Sequence, residues 1–360
     1  MGIKNLHKLL KDLAPNCYHT RHLSQFAFQK IAIDISLYMF KYKTIMGDDW
    51  LKAFVNLVGC LRKNEIHCVF IYDNGSPVEK SKEKEERQAQ RQKLLDKTNQ
   101  LEKDIKNYLQ LGEISELLRD INNKYQKEDK VRRLLSKMTD NNLNFNIKYA
   151  QEEYEKIKNQ SISITKQDFN LSRELFDILK VPYFNAILEA EKTCVHLQKD
   201  GLVDGVLSED TDVLAYGVKH FLTKINTGDD TCVYINIDEV LETLELSYEQ
   251  FLDVCIMCGT DYNNNIPKIG PKNAYKLIKE YGSIEGIKDG KNIDISILNH
   301  IRVRELFSFE NKLEWNIPYC EPPEWNNVQQ FLFHNNCNVN LEYIKKCFAP
   351  KELVFIEDEE

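Results

Sequence analysis

The sequence predicts an α/β fold built on a central, mostly parallel sheet. Residues 30–36 (KIAIDIS) and 66–73 (IHCVFIYD) are short runs of β-branched and aromatic residues, each ending at or just past an aspartate. Between them, Leu51, Phe54, Val55, Leu57, Val58 and Leu61 recur at helical spacing over 50–63. A third apolar run, 203–208 (VDGVLS), leads into Glu209-Asp210-Thr211-Asp212. Strand, helix, strand is the signature of a parallel βαβ unit.

The remaining elements follow in order. The second strand runs into Asn74-Gly75, a turn signal. Residues 79–160 are rich in Lys, Glu, Gln and Asn, contain no proline, and have Gly112 as their sole glycine. That composition predicts long polar helices or partial disorder. A helix is expected over 166–180, ending before Val181-Pro182-Tyr183, and a strand over 231–237 (TCVYINI). From Ser247 onward the chain reads as helices interrupted by a loop at 261–271. No internal repeat is present, and Ile356 to Glu360 reads as a short, frayed acidic tail.

A length of 360 residues fits two domains, or one large domain with an insertion. No run of 18 apolar residues occurs, so no membrane span is expected. MGIKNLHKLL lacks the apolar core and cleavage site of a secretory signal, and Leu6 stands where myristoylation requires Ser or Thr. The ten cysteines are therefore read as reduced intracellular thiols. Cys255 and Cys258 form a C-x-x-C with no second pair nearby, inside an apolar helical run, and are read as core thiols rather than zinc ligands.

The net charge of −8 hides an asymmetry: residues 80–137 carry 16 Lys and Arg against 11 Asp and Glu, so the rest of the chain holds −13. A basic segment beside an acidic remainder suits a protein that grips phosphates in one place and concentrates carboxylates in another. A solvated, salt-bridged helical face is the plainer reading of the basic segment.

Asp34, Asp73 and the pair Asp210/Asp212 each fall at or beyond the C-terminal end of an expected parallel strand, the edge where open α/β sheets bind ligands. With Glu189-Ala-Glu191 and Asp261, seven carboxylates can converge. Acids gathered there repel one another unless a cation intervenes, and Mg²⁺ prefers carboxylate oxygen. Two such ions can bind both the attacking and leaving oxygens of a phosphodiester. One aspartate after a strand is more often a helix cap; three repeats with an E-A-E between are harder to reach by accident.

These stretches resemble the flap endonuclease and XPG family of structure-specific 5′ nucleases. The matching segments are MGIKNLHKLLKDLAP, IAIDIS, FIYDNGSPVEKSKEKEER, VPYFNAILEAEKTCVHL, SEDTDVLAYG and CGTDYNNNIPKIGPKNAYKLI, in family order from residue 1 to about 290. The resemblance implies a PIN-like nuclease core with an inserted helical arch and a C-terminal helix–three-turn–helix. The expected regions are 1–93 and 166–250 for the nuclease, 94–165 for the arch, 251–310 for the DNA-binding helices and 311–360 for a helical tail. It implies Asp34, Asp73, Glu189, Glu191, Asp210, Asp212 and Asp261 as ligands of two Mg²⁺ ions, with Mn²⁺ able to substitute. Lys80 and Arg87, two helical turns apart, would face the scissile phosphate. Gly2 would lie near the active site, and Phe40, with Tyr38 close by, would stack on DNA or pack in the core. Lys268, Gly270 and Lys272 would hold a duplex backbone at a helix N-terminus, with Gly270 in a tight turn.

Two spacings depart from the family: 116 positions from Asp73 to Glu189, which enlarges the arch, and 39 from Asp34 to Asp73, which shortens the wedge region and puts recognition of a 3′ flap in doubt. No sliding-clamp motif is found. The expected protein is a monomeric Mg²⁺-dependent nuclease acting on 5′ flaps, nicks, gaps or 5′ ends of DNA in replication and repair. It would work in the nucleus, or at a cytoplasmic replication site if viral. The alternatives are a bubble or Holliday-junction endonuclease, a 5′-3′ exonuclease, an RNA exonuclease, or a catalytically silent DNA-binding protein.

Overall fold

The computed structural model describes residues 2–136, 145–291, 293–309 and 312–349, with the backbone alone for 128–136. The chain divides into two compact units: Met1–Tyr42, Asp48–Ser81 and Thr165–Glu360 form the larger, Lys43–Gly47 and Lys82–Ile164 the smaller.

Along the chain, α1 (Leu6–Leu13) precedes β1 (His19–His22), and β2 (Lys30–Asp34) runs directly into α2 (Ile35–Met46). Next come α3 (Trp50–Lys63) and β3 (His67–Tyr72), then a 3-10 turn at Val78–Lys80 and α4 (Ser81–Leu111). The helices α5 (Glu116–Ser136), α6 (Ile147–Gln160) and α7 (Lys166–Ile178) follow. The sheet is completed by β4 (Tyr183–Asn185), α8 (Ala190–Lys199), β5 (Gly205–Leu207), α9 (Asp212–Ala215), β6 (His220–Asn226) and β7 (Thr231–Asn236). The chain then becomes helical: α10 (Ile237–Leu244), α11 (Tyr248–Cys258), α12 (Pro271–Tyr281), α13 (Ile284–Lys291), α14 (His300–Leu306), α15 (Trp325–His334) and α16 (Leu341–Phe348).

The seven strands lie in the order β1-β7-β6-β5-β2-β3-β4. From β6 to β4 all pairings are parallel, while β7 runs antiparallel to both β6 and β1. Alternating side chains serve two faces, as the strand period requires. Ala32, Val69, Ile71 and Val206 join Ala190, Cys194 and Val195 of α8 in one core cluster. Phe70 turns the other way, stacking on Phe176 of α7 at 4.1 Å and meeting Phe54 of α3 edge-on at 6.1 Å. Burial on both faces explains why β2 and β3 are continuous apolar runs.

The parallel strands foreseen at 30–36, 66–73 and 203–208 are present, as is α3 over its expected span. Cys255 and Cys258 are buried on α11. The sequence reading did not foresee β1, β4 or β6. β1 is His-Thr-Arg-His, an edge strand fixed by its antiparallel ladder with β7 rather than by apolar content. β6 carries His220, Thr223 and Lys224, which mask its period.

The regular elements of the smaller unit's described part are all helices, so its polar composition encodes long helices. α4 is continuous through residue 94, where the sequence placed a boundary. The unit's core is Leu101, Leu118, Ile121, Ala150 and Ile157. Buried Glu153 accepts from Tyr125 at 2.9 Å and pairs with Lys124 and Lys97 at 3.4 and 3.8 Å. Residues 137–144 and the acidic tail lie outside the described residues.

Leu101 is fully buried in this cluster. Leu101→Ala should cost the helical unit about 2–5 kcal/mol. Hydrogen exchange should then accelerate across residues 82–127 and stay unchanged in β2 and β3; equal acceleration in both would mean that the two units unfold together.

Candidate active site

Parallel pairing brings the C-terminal ends of β5, β2, β3 and β4 to one sheet edge, and the acids follow from it. Asp34 closes β2, Asp73 immediately follows β3, Glu189 and Glu191 open α8 after β4, and Asp210 and Asp212 follow β5. Asp261 comes from the loop between α11 and α12. Asp34, Glu189, Glu191, Asp210 and Asp212 are buried, Asp261 is half-buried and Asp73 is exposed. The structure brings all seven together, since each feels the charge of at least one other.

Several acids also serve the backbone. Asp34 Oδ1 accepts the N–H of Ser36 at 2.9 Å, at the start of α2. Asp73 Oδ1 accepts the N–H of Ala190 at 2.8 Å and so caps α8 from a neighbouring strand. Asp210 Oδ1 accepts the N–H of Asp212 at 3.0 Å, and the Asp210 N–H donates to Ser208 Oγ at 3.1 Å. Cap and ligand are therefore compatible roles, because a carboxylate has a second oxygen to offer.

Lys80 supplies a cation. Its ammonium is buried and lies 2.7 Å from Glu189, 3.1 Å from Asp261 and 3.5 Å from Glu191. Burial opposes the charge, but Glu191, Glu189 and Asp261 outweigh it and hold the Lys80 pKa above its ordinary value. The sequence reading placed Lys80 on the same helix as Arg87. Lys80 instead ends the 3-10 turn before α4, in the larger unit, where it turns into the acids. Arg87 lies on α4 in the smaller unit and pairs with Glu83 one turn earlier.

That one cation does not balance the cluster, and three of the acids are strained electrostatically. Burial, then Asp73 and Glu191, push Asp34 well above the carboxylate range. Burial, then Asp210 and Asp261, do the same to Asp212. Glu191 rises to about 8, from burial and from Glu189, Asp210 and Asp73, although Lys80 opposes the shift. Asp212 Oδ1 is buried without a hydrogen-bond partner.

Among the described residues, no group of three or more His, Cys, Asp or Glu side chains stands in a geometry that would itself grip a metal ion. The donor chemistry nevertheless fits one: every donor is a carboxylate oxygen, the group is crowded, and one buried oxygen is unpartnered.

The sequence reading missed two tyrosines. Tyr262 donates to Glu189 Oε2 at 2.5 Å, and its hydroxyl also meets that of Tyr216 at 2.7 Å. Glu189 thus has one oxygen on Lys80 and the other on Tyr262. The only sequence signal was the place of Tyr262 beside Asp261. Glu209, inside the acidic run but outside the cluster, pairs with Lys41.

Gly2 lies against the acids. Its φ is +86°, and an added Cβ would overlap Asp210 Oδ1 and sit 2.8 Å from Asp212 Oδ1. Phe40 is half-buried on α2, whereas Tyr38 belongs to the core.

At the other expected contact, Gly270 caps α12 with φ −89°, a conformation open to any residue. The left-handed residue of that loop is Lys268, φ +67°, so Gly270 contributes an absent side chain rather than a tight turn. No side chain caps α12, and an added Cβ at Gly270 would meet nothing within 4 Å. Lys272 donates to Asp12 of α1 at 2.7 Å, which neutralises one of the charges expected to meet DNA. Asn5, Lys8 and Asp12 of the α1 region and Gly270 to Asn273 line a cavity of about 320 Å³.

The electrostatics have a testable sign. Groups whose folded pKa is raised add stability below their ordinary pKa and lose it as pH rises through the raised value. For Glu191 that window runs from about 4.3 to about 8. Metal-free protein should melt at progressively lower temperature as pH rises through this range. At pH 8, Asp212→Asn should stabilise it, read from denaturant melts in a chelating buffer; a destabilised variant would contradict the assigned strain.

Known proteins match this chain along most of its length. The XPG N-terminal domain matches residues 1–94 and the XPG I-region residues 180–261. The probable RAD2-like endonuclease 369L of Invertebrate iridescent virus 6 is 33% identical, over 97% of this chain and 92% of that one. Flap endonuclease 1 of Micromonas commoda is 29% identical over 80% of this chain and 68% of that protein. The catalytic core of Rad2 in complex with DNA substrate superposes with a TM-score of 0.64 at 16% identity, covering 96% of this chain and 99% of that one, and shares the fold. A seven-acid sheet edge, the two matched XPG regions and a near full-length viral relative establish that the chain belongs to the XPG and flap endonuclease family of nucleases.

Proposed function

We propose that the chain is a structure-specific DNA 5′ nuclease, hydrolysing a phosphodiester at 5′ flaps, nicks, gaps or 5′ ends with two Mg²⁺ ions. The observation that carries this reading is the convergence of seven acids on one sheet edge around a buried lysine. It draws support from the endonuclease names of the viral relatives and the flap endonuclease names of the algal ones.

The ions would be held by Asp34, Asp73, Glu191, Asp210 and Asp212, with Glu189 and Asp261 completing the set directly or through water. Bound magnesium supplies Lewis acidity at the scissile phosphate. The chain's own part is positional and electrostatic. The backbone bonds to Asp34, Asp73 and Asp210 fix one oxygen of each and so aim the other. Tyr262 orients Glu189. Lys80 places a fixed positive charge where the phosphate gains negative charge, and Arg87 is assigned the same task. Gly2 keeps the approach to Asp210 and Asp212 free of a side chain.

Duplex DNA would be gripped through phosphates at the open N-terminus of α12, with Lys268 and Lys272 adding charge. Asp12 tempers that grip through its ion pair with Lys272. Phe40, half-buried on α2, is assigned to stack on the DNA.

Two experiments test this reading. The first incubates wild type and Asp210→Asn with Mg²⁺ and labelled flap, nicked, bubble and four-way DNA. Wild type should cut the flap or nick; Asp210→Asn should lose at least about a hundredfold in rate while still binding the same DNA. Near wild-type cleavage by the variant would remove Asp210 from the site, and binding without cleavage by wild type would favour a silent DNA-binding protein. The second compares duplex affinity across salt. Asp12→Asn should tighten binding and steepen the salt slope by about 0.9, one further phosphate contact, and Lys272→Ala should do the reverse. An unchanged slope in both would place the duplex elsewhere.

A further inference from the structure

A second pocket opens beside Asp73. It has a volume of about 240 Å³ and is lined by Tyr72, Asp73, Lys166, Phe169, Asn170 and Arg173. Four of these come from α7 at positions i, i+3, i+4 and i+7, so one face of one helix builds the wall. Two cations and two aromatic rings stand there against a single carboxylate, and that carboxylate is one of the seven acids.

The groups are arranged for use. The Arg173 guanidinium lies 4.1 Å from the centre of the Tyr72 ring and donates to Asn185 Oδ1 at 3.1 Å. It is held over an aromatic ring, yet has five N–H donors, most of them uncommitted by that one hydrogen bond. Phe169 meets Tyr72 edge-on at 5.9 Å and remains half-exposed, so part of its ring is open to the pocket. Lys166 is exposed at the first position of α7, after the Thr165 cap. A cation there opposes the helix dipole. The reciprocal bonds of Thr165 and Asp168 already satisfy that helix end, so stability of the cap does not call for a lysine.

We infer that this pocket binds one nucleotide of single-stranded DNA next to the scissile phosphate, with its phosphate on Lys166 and Arg173 and its base against Phe169. Cations that track the backbone, combined with an aromatic platform for a base, are what single-strand binding requires, and they act without reading sequence. The pocket is too small for a duplex, and Asp73 ties it to the metal-binding edge. The assignment rests on the proposed nuclease reading and adds a substrate feature to it: the strand must be unpaired where it passes Asp73.

The test measures binding without metal, by fluorescence anisotropy in EDTA, using 5′-phosphorylated hexathymidylate and a blunt duplex as probes. Lys166→Ala should weaken hexathymidylate about fivefold and lower its salt slope by about 0.7, one single-strand phosphate contact. Phe169→Leu keeps an apolar side chain in place but removes the ring face; it should weaken hexathymidylate about tenfold with an unchanged melting temperature. Blunt duplex affinity should stay within twofold of wild type for both. The inference is overturned if either variant binds hexathymidylate like wild type, or if duplex and single-strand affinities fall together. Because no cleavage is read, the result is independent of the nuclease test: a protein that cuts nothing could still show the single-strand effect, and an active nuclease could lack it.

Discussion

Mutual repulsion among seven carboxylates at one sheet edge is the constraint that the larger unit is organised around. A sheet of parallel strands delivers their ends to the same place, and this sequence puts acids at nearly every one. Left alone, such a cluster would push the strand ends apart or take up protons. Burial sharpens the conflict, because low-dielectric surroundings strengthen every like-charge interaction. The fold answers it in three ways. Backbone N–H groups of Ser36, Ala190 and Asp212 each donate to an aspartate. Tyr262 donates to Glu189. Lys80 places a buried ammonium among Glu189, Glu191 and Asp261. These offset part of the repulsion, and the raised pKa values of Asp34, Asp212 and Glu191 mark what is left. Under the proposed function, that remainder is what would give a divalent cation its affinity, so instability of the cluster and use of the site would have one cause.

What was legible in the sequence follows from this physics. Strands β2, β3 and β5 could be read because both faces are buried and the run must be apolar; α3 could be read because its large apolar residues recur at helical spacing around exposed Asn56. Asp34, Asp73, Asp210 and Asp212 could be read because they sit at or just past the ends of those strands, whereas Glu189, Glu191 and Asp261 were legible through the E-A-E spacing and the family resemblance. β1 and β6 could not, since His19 to His22 and the polar residues of β6 are strand only through pairing with β7. The 3-10 turn at Val78–Lys80 was invisible for a similar reason. Charge runs continuously from Glu79 into α4, and nothing in the pattern separates a buried lysine from an exposed one. Tyr216 and Tyr262 look like ordinary core aromatics; only distance shows that their hydroxyls form a chain ending on Glu189.

The loop before α12, proposed to meet duplex DNA, makes the same point in reverse. Ile269-Gly270-Pro271-Lys272 was read as a glycine turn at a helix start. The helix start is there, but Lys268 carries the left-handed conformation and Gly270 contributes an absence of side chain. Nor could the sequence couple Lys272 to Asp12, 260 positions earlier. A lysine counted from sequence is a charge available to a phosphate; a lysine in an ion pair must first give up that partner, and the difference appears in binding.

The pocket at Asp73 extends this logic to the substrate. Arg173 is fixed by Tyr72 and Asn185, and Lys166 stands at a helix end that does not favour it. Positive charge that the fold does not need for itself has been set within one cavity of a carboxylate assigned to metal. In the proposed reading, acids that gather cations and cations that gather phosphate would work side by side: the first set would fix where a bond is cut, the second which strand reaches it. A paired strand could not lay a base against Phe169 without leaving its partner. Selection for unpaired DNA would therefore arise from the shape and chemistry of α7, before any contact with the base sequence.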